Sequence, residues 1–155
     1  MLSMGTGLDR SIGRIIETLQ KANMWENTII VFTNDNGGKS GVSNNWPFQR
    51  YKSSTLEGGI RVPAFIHSNL LPKNRLGERR DHLMDMTDWL PTLLSMSQCD
   101  NEPPAGKALD GIDQSPMITS EIGQVPEEGP REEILHHLDY FKTYPERNLL
   151  DPREV

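Results

Sequence analysis

The chain has little cysteine, little apolar surface and little positive charge. Among its 155 residues Cys99 is the only cysteine, so no internal disulfide can form. Hydrophobic residues make up 35% of the chain, its mean hydropathy is −0.58, and it carries 11 prolines and 13 glycines. This composition is lean for an independent domain of that length. Either much of the chain is loop, or part of the natural core lies outside these residues.

Other missing features narrow the possible partners. The 16 basic residues are outnumbered by 22 acidic ones, and the formal net charge of −6 argues against a nucleic-acid partner, which requires clustered Lys and Arg. No stretch approaches membrane-spanning length. The N-terminal sequence MLSMGTGLDR lacks the basic and apolar regions of a signal peptide. No Asn-x-Ser/Thr sequon occurs, so the chain gives no glycosylation sign of secretion.

The most informative stretch is TIIVFTNDNGG at residues 28–38. Its first six residues form an apolar and β-branched run, which is typical of a strand buried on both faces inside a parallel sheet. Asn34, Asp35 and Asn36, followed by two glycines, then end the strand in a tight loop. Ligands bind at the carboxyl ends of strands in open α/β sheets, so this loop places a carboxylate and two carboxamides where a site is expected.

Two interpretations of this loop remain open from the residues alone. Calcium prefers carboxylate and carbonyl or amide oxygens, so Asp35 and its neighbours have the chemistry to hold a hard cation. The sequence Asn-Asp-Asn-Gly is also common turn chemistry, and by itself the loop is better explained as a solvated Asx turn. The acidic net charge is compatible with a cation site without demonstrating one.

The elements around this stretch alternate between helix and strand. Apolar residues at helical spacing predict an amphipathic helix over residues 2–22, with Asn23 as its left-handed cap. Such a helix, joined by a short connection to a buried strand, is half of a β-α-β unit. A second apolar run at residues 60–68 contains Pro63, which limits it to an edge, a bulge or the start of a strand.

The sequence predicts fewer ordered elements in the second half of the chain. Residues 84–97 indicate a helix capped by Asp85 or Thr87, and Asp88 is expected to act as a dipole partner in the first turn rather than as a catalytic group. The composition beyond it, rich in Pro, Gly and acidic residues, is typical of extended loop. Within that part we expect a short turn at residues 113–120 and a last strand at residues 131–140.

Several chemistry-bearing residues outside residues 28–38 also have competing explanations. The long loop at residues 39–49 contains Trp46 and Phe48, which argue against disorder. Residues 50–59 combine basic and hydroxyl side chains with a glycine pair. This composition can bind an anion, but by itself it indicates a surface loop. His67 is expected to be structural. The adjacent His136 and His137 would point to opposite faces of a strand, so they do not indicate a metal pair.

The ordered set of motifs resembles the sulfatase family, closest to its arylsulfatase B-like (N-acetylgalactosamine-4-sulfatase-like) group. The resemblance is carried by TIIVFTNDNGG at 28–38, NNWPFQRYKSSTLEGGIRVPAF at 44–65 and MDMTDWLPTLL at 84–94. LDGIDQ at 109–114 and EILHHLD at 133–139 add support. The similarity is strong from about residue 5 to 115 and weaker beyond, so the chain is expected to be a fragment from the C-terminal portion of a catalytic domain.

The resemblance implies an alkaline-phosphatase-like α/β sandwich with a mixed, mainly parallel sheet. Residues 1–113 would form part of the catalytic domain, and residues 114–155 would begin a small C-terminal subdomain. Sulfatases hydrolyse sulfate esters with a formylglycine nucleophile and one calcium ion. The family's later Asp-Asn calcium-ligand pair matches Asp35 and Asn36, and the sulfate-binding Lys of its K-x-x-T-x-E-G-G motif matches Lys52.

The departures from the family pattern limit what the chain is expected to do alone. The Cys-x-Pro-x-Arg motif that yields formylglycine is absent, since Cys99 is followed by Asp100 and Asn101, and so is the family's early Asp pair. We therefore expect a sulfatase segment that acts on sulfated small molecules or glycans but is inactive as it stands. The alternatives are a non-catalytic sulfated-glycan-binding remnant around Trp46 and Lys52, or another alkaline-phosphatase-superfamily hydrolase. The resemblance also implies a lysosomal or secreted location.

Overall fold

A computed structural model describes residues 2–99, 108–121 and 123–137. These residues divide into two compact units. The first comprises residues 2–68 together with residues 135–137, and the second comprises the described residues between 69 and 134. The predicted domain boundary between residues 113 and 114 lies inside the second unit, and the domain division stays a prediction.

The first unit begins with the predicted amphipathic helix, α1, which spans Leu2–Lys21. Asn23 adopts the left-handed conformation with a φ of 56°, which confirms its predicted role at the helix end. After a 3-10 turn at Trp25–Asn27 the chain enters strand β1, Ile30–Thr33. The short helix α2 at Glu57–Ile60 and strand β2 at Ala64–His67 complete the unit.

Strands β1 and β2 form an antiparallel pair, with Ile30 opposite His67 and Thr33 opposite Ala64. Strand β2 starts directly after Pro63, so the proline lies at a strand start as predicted. The rings of Phe32 and Phe65 stack across the pair with their centroids 5.2 Å apart. This register places the end of β1 beside the beginning of β2, and the loop after β1 leaves from that edge.

The burial of β1 differs from the prediction of a strand covered on both faces. All four of its residues are half-buried, and among the described elements β1 packs only against β2. The apolar run supplies the side chains for two buried faces, but the described residues do not provide the layers that would cover them. The same shortage explains why Phe65 on the neighbouring strand is 52% exposed.

The second unit is built around helix α3, Trp89–Met96, which a 3-10 turn at Met86–Asp88 leads into. Asp85 caps this turn as predicted, because its carboxylate accepts hydrogen bonds from the backbone N–H and the hydroxyl of Thr87. The predicted turn at residues 113–120 is the short helix α4, Ser115–Thr119, which packs against α3. A further 3-10 turn lies at Lys73–Arg75.

The centre of this unit is polar. Its most buried side chains include Asp88, Thr92 and Gln114, at 0%, 0% and 2% exposure, whereas Met117, at 4%, is the one large hydrophobic side chain that is buried among the described residues. The Gln114 backbone N–H donates to Thr92 Oγ1 at 2.9 Å, and its Nε2 donates to Asp88 Oδ2 at 3.2 Å. These bonds tie the start of α4 to the start of α3, because buried polar groups are stable only when paired.

Asp88 is the hub of this network, which goes beyond the dipole partner predicted for it. Its carboxylate accepts hydrogen bonds from the backbone N–H groups of Asp85 and Ile112, from Gln114, and from Arg131 through Nε and a terminal guanidinium nitrogen. Burial by itself would raise the pKa of Asp88. The Arg131 guanidinium and the backbone donors outweigh that effect and lower the pKa to about 2.

The predicted strand at residues 131–140 is wrong for residues 131–137, which belong to no helix or strand, and its remainder lies outside the described residues. Arg131 is instead used as the ion-pair partner of the buried Asp88, and no described strand lies beside this segment to pair with it. The pattern of apolar and charged residues therefore did not predict the structure of residues 131–137. Within the described chain no helix is both long and apolar enough to cross a membrane.

Candidate functional site

The loop after β1 carries two of the predicted site residues. Asp35 is exposed and Asn36 is partly buried, both within three residues of the end of β1 at Thr33. The Asn36 backbone N–H donates to Asp35 Oδ1 at 2.9 Å, and Asn36 Nδ2 donates to the Gly37 carbonyl at 2.9 Å. The local bonds use the amide nitrogen of Asn36, which leaves its side-chain oxygen as the atom with lone pairs for a cation.

Gly37 allows this loop to lie directly on the segment that precedes β2, and Gly58 and Gly59 allow that segment to fold closely on itself. The Gly37 N–H donates to the Gly59 carbonyl at 2.9 Å, and a Cβ added at Gly37 would lie 1.8 Å from the Gly58 carbonyl oxygen. A Cβ at Gly58 would lie 2.1 Å from the carbonyl oxygen of Arg50, and one at Gly59 would lie 2.2 Å from that of Ser54. The two segments therefore meet backbone to backbone, which no larger residue permits.

Lys52 belongs to the same assembly. Its backbone N–H donates to the Gly38 carbonyl at 3.0 Å. The lysine backbone is therefore fixed beside Gly38, which lies two residues after Asn36. The side chain is exposed, and within the described chain its ammonium group makes no ion pair. Residues on both sides of it adopt left-handed backbone conformations, with φ of 72° at Arg50 and 76° at Ser53, an arrangement that is costly for residues with side chains.

The structure thus brings together the two segments that hold the predicted site residues. Convergence of the Asp35, Asn36 and Lys52 side chains on one ligand stays a prediction, as does the binding of calcium. Among the described residues no group of three or more His, Cys, Asp or Glu side chains could hold a metal ion. Asp35 and Asn36 have the oxygen chemistry for calcium, but they can fill only part of the roughly six to eight positions that the ion takes.

Asn45 is a residue of this region that sequence reasoning missed. Its Oδ1 accepts a hydrogen bond from the Gly38 N–H at 2.9 Å, and its Nδ2 donates to the carbonyls of Gly38 at 3.0 Å and Arg50 at 3.2 Å. An Asn within a polar loop gives no signal of such a role, because its partners lie five and seven residues away. The carboxamide joins the loop after β1 to the segment that leads to Lys52.

The aromatic residues of the loop at residues 39–49 behave differently from one another. Trp46 is 82% exposed, and its backbone N–H is held by the Asn44 side-chain oxygen at 2.9 Å. Phe48 is partly buried beneath the guanidinium carbon of Arg61, which lies 4.8 Å from the ring centroid. Trp46 therefore presents an uncovered indole one residue from Asn45.

The remaining candidates have ordinary roles or none. The His67 ring stacks on Trp25 with a centroid distance of 5.1 Å, as expected for a structural histidine. Cys99 is a free, exposed thiol. His136 and His137 are exposed and, among the described residues, belong to no group that could hold a metal ion.

Comparison with known proteins identifies the family. The family model described as Sulfatase matches residues 4–98 of the chain. Mouse arylsulfatase J is 35% identical over 137 residues, a match that covers 88% of this chain and 21% of the relative. The chain therefore spans about a fifth of the length of the curated relatives it matches.

Solved structures agree with this match. The crystal structure of PsFucS1 sulfatase from Pseudoalteromonas sp. superposes with a TM-score of 0.61 and 30% identity, over 77% of this chain and 23% of that one. The structure of Ps i-CgsB in complex with k-i-k-neocarrahexaose gives the same TM-score at 39% identity, over 70% of this chain and 24% of that one. The fold is thus the alkaline-phosphatase-like α/β sandwich, a mixed sheet flanked by helices, to which the described residues contribute the antiparallel β1–β2 pair. The chain belongs to the sulfatase family.

Proposed function

We propose that this chain forms part of a calcium-dependent hydrolase of sulfate esters, of the arylsulfatase B-like group. The observation that supports the proposal most is the backbone contact between the Asp35–Gly38 loop and the Lys52–Gly59 segment. That contact holds a carboxylate and a carboxamide on one segment and a lysine on the other at the end of a strand. A divalent cation beside an ammonium group suits a sulfate ester, whose oxygens carry negative charge.

The residues have distinct roles in this proposal. Asp35 and Asn36 supply oxygen ligands for calcium, which would neutralise charge on the sulfate oxygens and the leaving group. Lys52 binds a sulfate oxygen as a point charge, and its exposed, unpaired ammonium in the described chain is consistent with that role. The nucleophile, formylglycine by family resemblance, has no counterpart among these 155 residues, because no Cys-x-Pro-x-Arg occurs.

The substrate class that we propose is a sulfated glycan. One relative of known structure, Ps i-CgsB, forms a complex with k-i-k-neocarrahexaose, and it shares 39% identity with this chain. Trp46, with 82% of its surface exposed one residue from Asn45, supplies an apolar face of the kind that sugar rings stack on. By family resemblance we propose a lysosomal or secreted location.

The assay is hydrolysis of a chromogenic aryl sulfate in the presence of calcium. We expect no turnover from the 155-residue chain, and turnover from a version preceded by the upstream half of a sulfatase that carries the formylglycine motif. In that completed enzyme Asp35→Ala should abolish most activity by removing a charged metal ligand. Lys52→Ala should lower kcat by about a hundredfold or more, as for other preorganised charge contacts.

The matched control is Lys39→Ala, which removes an exposed lysine from the loop that follows Gly38. This variant should keep the activity of the completed enzyme. Turnover by the 155-residue chain alone, or full activity in the completed Asp35→Ala and Lys52→Ala variants, would show that the site is misassigned. A preference for aryl phosphate over aryl sulfate would favour another hydrolase of the same superfamily.

A second candidate function is binding of sulfated glycans without catalysis, which the exposure of Trp46 favours. A sulfated oligosaccharide should then change the tryptophan fluorescence of the 155-residue chain, and Trp46→Ala should remove the change. An unsulfated oligosaccharide of the same length is the control ligand. Binding by the chain combined with no turnover in the completed enzyme would favour this candidate over the hydrolase.

A further inference from the structure

We infer that Asn45 is a positioning residue that sets the separation between the calcium-ligand loop and the sulfate-binding lysine. The inference rests on the proposed function for the identity of the ligands. Its structural basis is independent of them, because it concerns how three stretches of backbone are joined.

The Asn45 carboxamide uses both of its ends on backbone groups. Its oxygen accepts from the Gly38 N–H, and its nitrogen donates to the Gly38 carbonyl, at 2.9 and 3.0 Å, so it pairs with Gly38 in the manner of a neighbouring strand. The same nitrogen donates to the Arg50 carbonyl at 3.2 Å. Gly38 lies two residues after Asn36, and Arg50 lies two residues before Lys52. One side chain thereby spans the two halves of the proposed site.

The third contact of Asn45 also explains how the chain tolerates its conformation at Arg50. The φ of 72° at Arg50 is unfavourable for a residue with a Cβ, and such a conformation persists only where its surroundings hold it. The Arg50 carbonyl is fixed by Asn45 Nδ2, and it packs where a Cβ at Gly58 would lie 2.1 Å away. Asn45 therefore stabilises the turn that delivers Lys52 to the Gly38 carbonyl.

The chain offers a matched control in the adjacent residue. Asn44 lies in the same loop, and its side-chain oxygen accepts one hydrogen bond, from the Trp46 N–H. Asn44→Asp keeps that acceptor, whereas Asn45→Asp replaces a donor by an oxygen that faces the Gly38 and Arg50 carbonyls. Both variants add one negative charge, so a difference between them reports the lost donor and not the charge. Asn45→Ala and Asn44→Ala form a second pair without added charge, which serves if Asn45→Asp prevents folding.

Amide hydrogen exchange and a sulfate titration of the 155-residue chain, both followed by NMR, test the inference. In the Asn45 variants the Gly38 and Lys52 amides should exchange about fivefold faster or more, as expected for the loss of a hydrogen bond, while the β1–β2 amides keep their rates. The affinity for inorganic sulfate, read from the Lys52 resonances, should fall by a similar factor. The Asn44 variants should match the unsubstituted chain in both measurements.

Other outcomes overturn the inference. Equal exchange rates at Gly38 and Lys52 in the Asn45 and Asn44 pairs would remove the positioning role. Faster exchange throughout the first unit, sheet amides included, would make Asn45 a general stabilising residue. If sulfate leaves the Lys52 resonances of the unsubstituted chain unmoved, the proposed sulfate site fails. The exchange rates at Gly38 and Lys52 still decide the role of Asn45.

Discussion

We expect Asp88→Asn to destabilise the second unit by about 3–5 kcal/mol, the range found when one partner of a buried ion pair is removed. The Asp88 side chain is fully buried, and that of Arg131 is 13% exposed. Asparagine has the shape of aspartate, so the substitution changes charge and hydrogen bonding with little change in packing. The prediction therefore concerns the carboxylate and not the space that it fills.

The magnitude follows from the donors that meet each carboxylate oxygen. The Ile112 N–H and a terminal nitrogen of Arg131 donate to Oδ1, at 2.7 and 2.5 Å. The Asp85 N–H, Gln114 Nε2 and Arg131 Nε donate to Oδ2. Asparagine keeps one oxygen, so in either orientation its NH₂ group faces at least two donors. Each buried donor left without an acceptor costs about 1–3 kcal/mol, so the loss from two of them agrees with the range above.

The pH dependence gives a second measurement of the same interaction. The pKa of Asp88 is lowered from 3.8 to about 2 in the folded chain, a difference that corresponds to about 2 kcal/mol of stability. Because the folded pKa is the lower one, this stability is present above pH 3.8 and is lost as the pH falls towards 2. Asp88→Asn should therefore flatten the acid limb of the stability curve. The limb will not vanish, because hydrogen bonds from Thr87 also lower the pKa of Asp85.

The assay is urea unfolding monitored by circular dichroism at several pH values from neutral to acid. Asp110→Asn is the matched control, since it makes the same chemical change at an exposed carboxylate in the same unit. We expect the control to unfold like the unsubstituted chain. A loss below about 1 kcal/mol for Asp88→Asn, or an acid limb as steep as that of the control, would refute the reasoning from the donor geometry.

Two glycine substitutions and one surface measurement test the rest of the fold. Gly37→Ala places a Cβ 1.8 Å from the Gly58 carbonyl oxygen, so it should lower the melting temperature and shift the Lys52 amide resonance; an unchanged spectrum would contradict the backbone contact. Gly13→Ala makes the same change within α1, where the Cβ meets no atom within 4 Å, and should stabilise the chain by about 0.5–1 kcal/mol. Among the described residues 15 large hydrophobic side chains are exposed and only one, Met117, is buried, so the chain should bind a hydrophobic dye strongly. A chain that leaves the dye unbound would contradict this expectation.

The local elements were predictable because their causes lie within a few residues. Helical spacing of apolar residues sufficed for α1, the β-branched run for β1, and Pro63 for the start of β2. The polar residues before an apolar segment predicted a cap at Asp85 or Thr87, and the structure has it at Asp85. The strand expected at residues 131–140 failed because its first residue, Arg131, is held by Asp88, which lies 43 residues earlier in the chain. No local pattern at residue 131 indicates that partner.

The candidate site was likewise predictable only where the signal is local in the sequence. Asp35, Asn36 and Lys52 were singled out from motifs, and the structure joins their two segments by the bond from Lys52 to Gly38. Asn45 was missed because its role depends on where the Gly38 and Arg50 carbonyls lie, which only the folded loop determines. The buried state of Asp88 was missed for a similar reason, since an Asp in a first helical turn is usually exposed and serves the helix dipole.

The glycines in the family-like motifs provide a physical reason why residue order alone carried so much information. Gly37 and Gly58 lie in different motifs, and neither can bear a Cβ. A Cβ at Gly37 would clash with the Gly58 carbonyl, and a Cβ at Gly58 would clash with the Arg50 carbonyl. Gly111, in the motif LDGIDQ at 109–114, would place a Cβ 2.1 Å from the carbonyl oxygen of Thr87 in the motif at 84–94, and so lies directly against the turn that presents Asp88. The motifs at 28–38 and 44–65 therefore meet in one backbone contact, and those at 84–94 and 109–114 meet in another. Chance similarity of a single motif would not bring such pairs together, whereas the whole set in order requires that the segments pack against each other. The same requirement couples the proposed site to the fold, because displacing either glycine of the first contact would move Asn36 relative to Lys52.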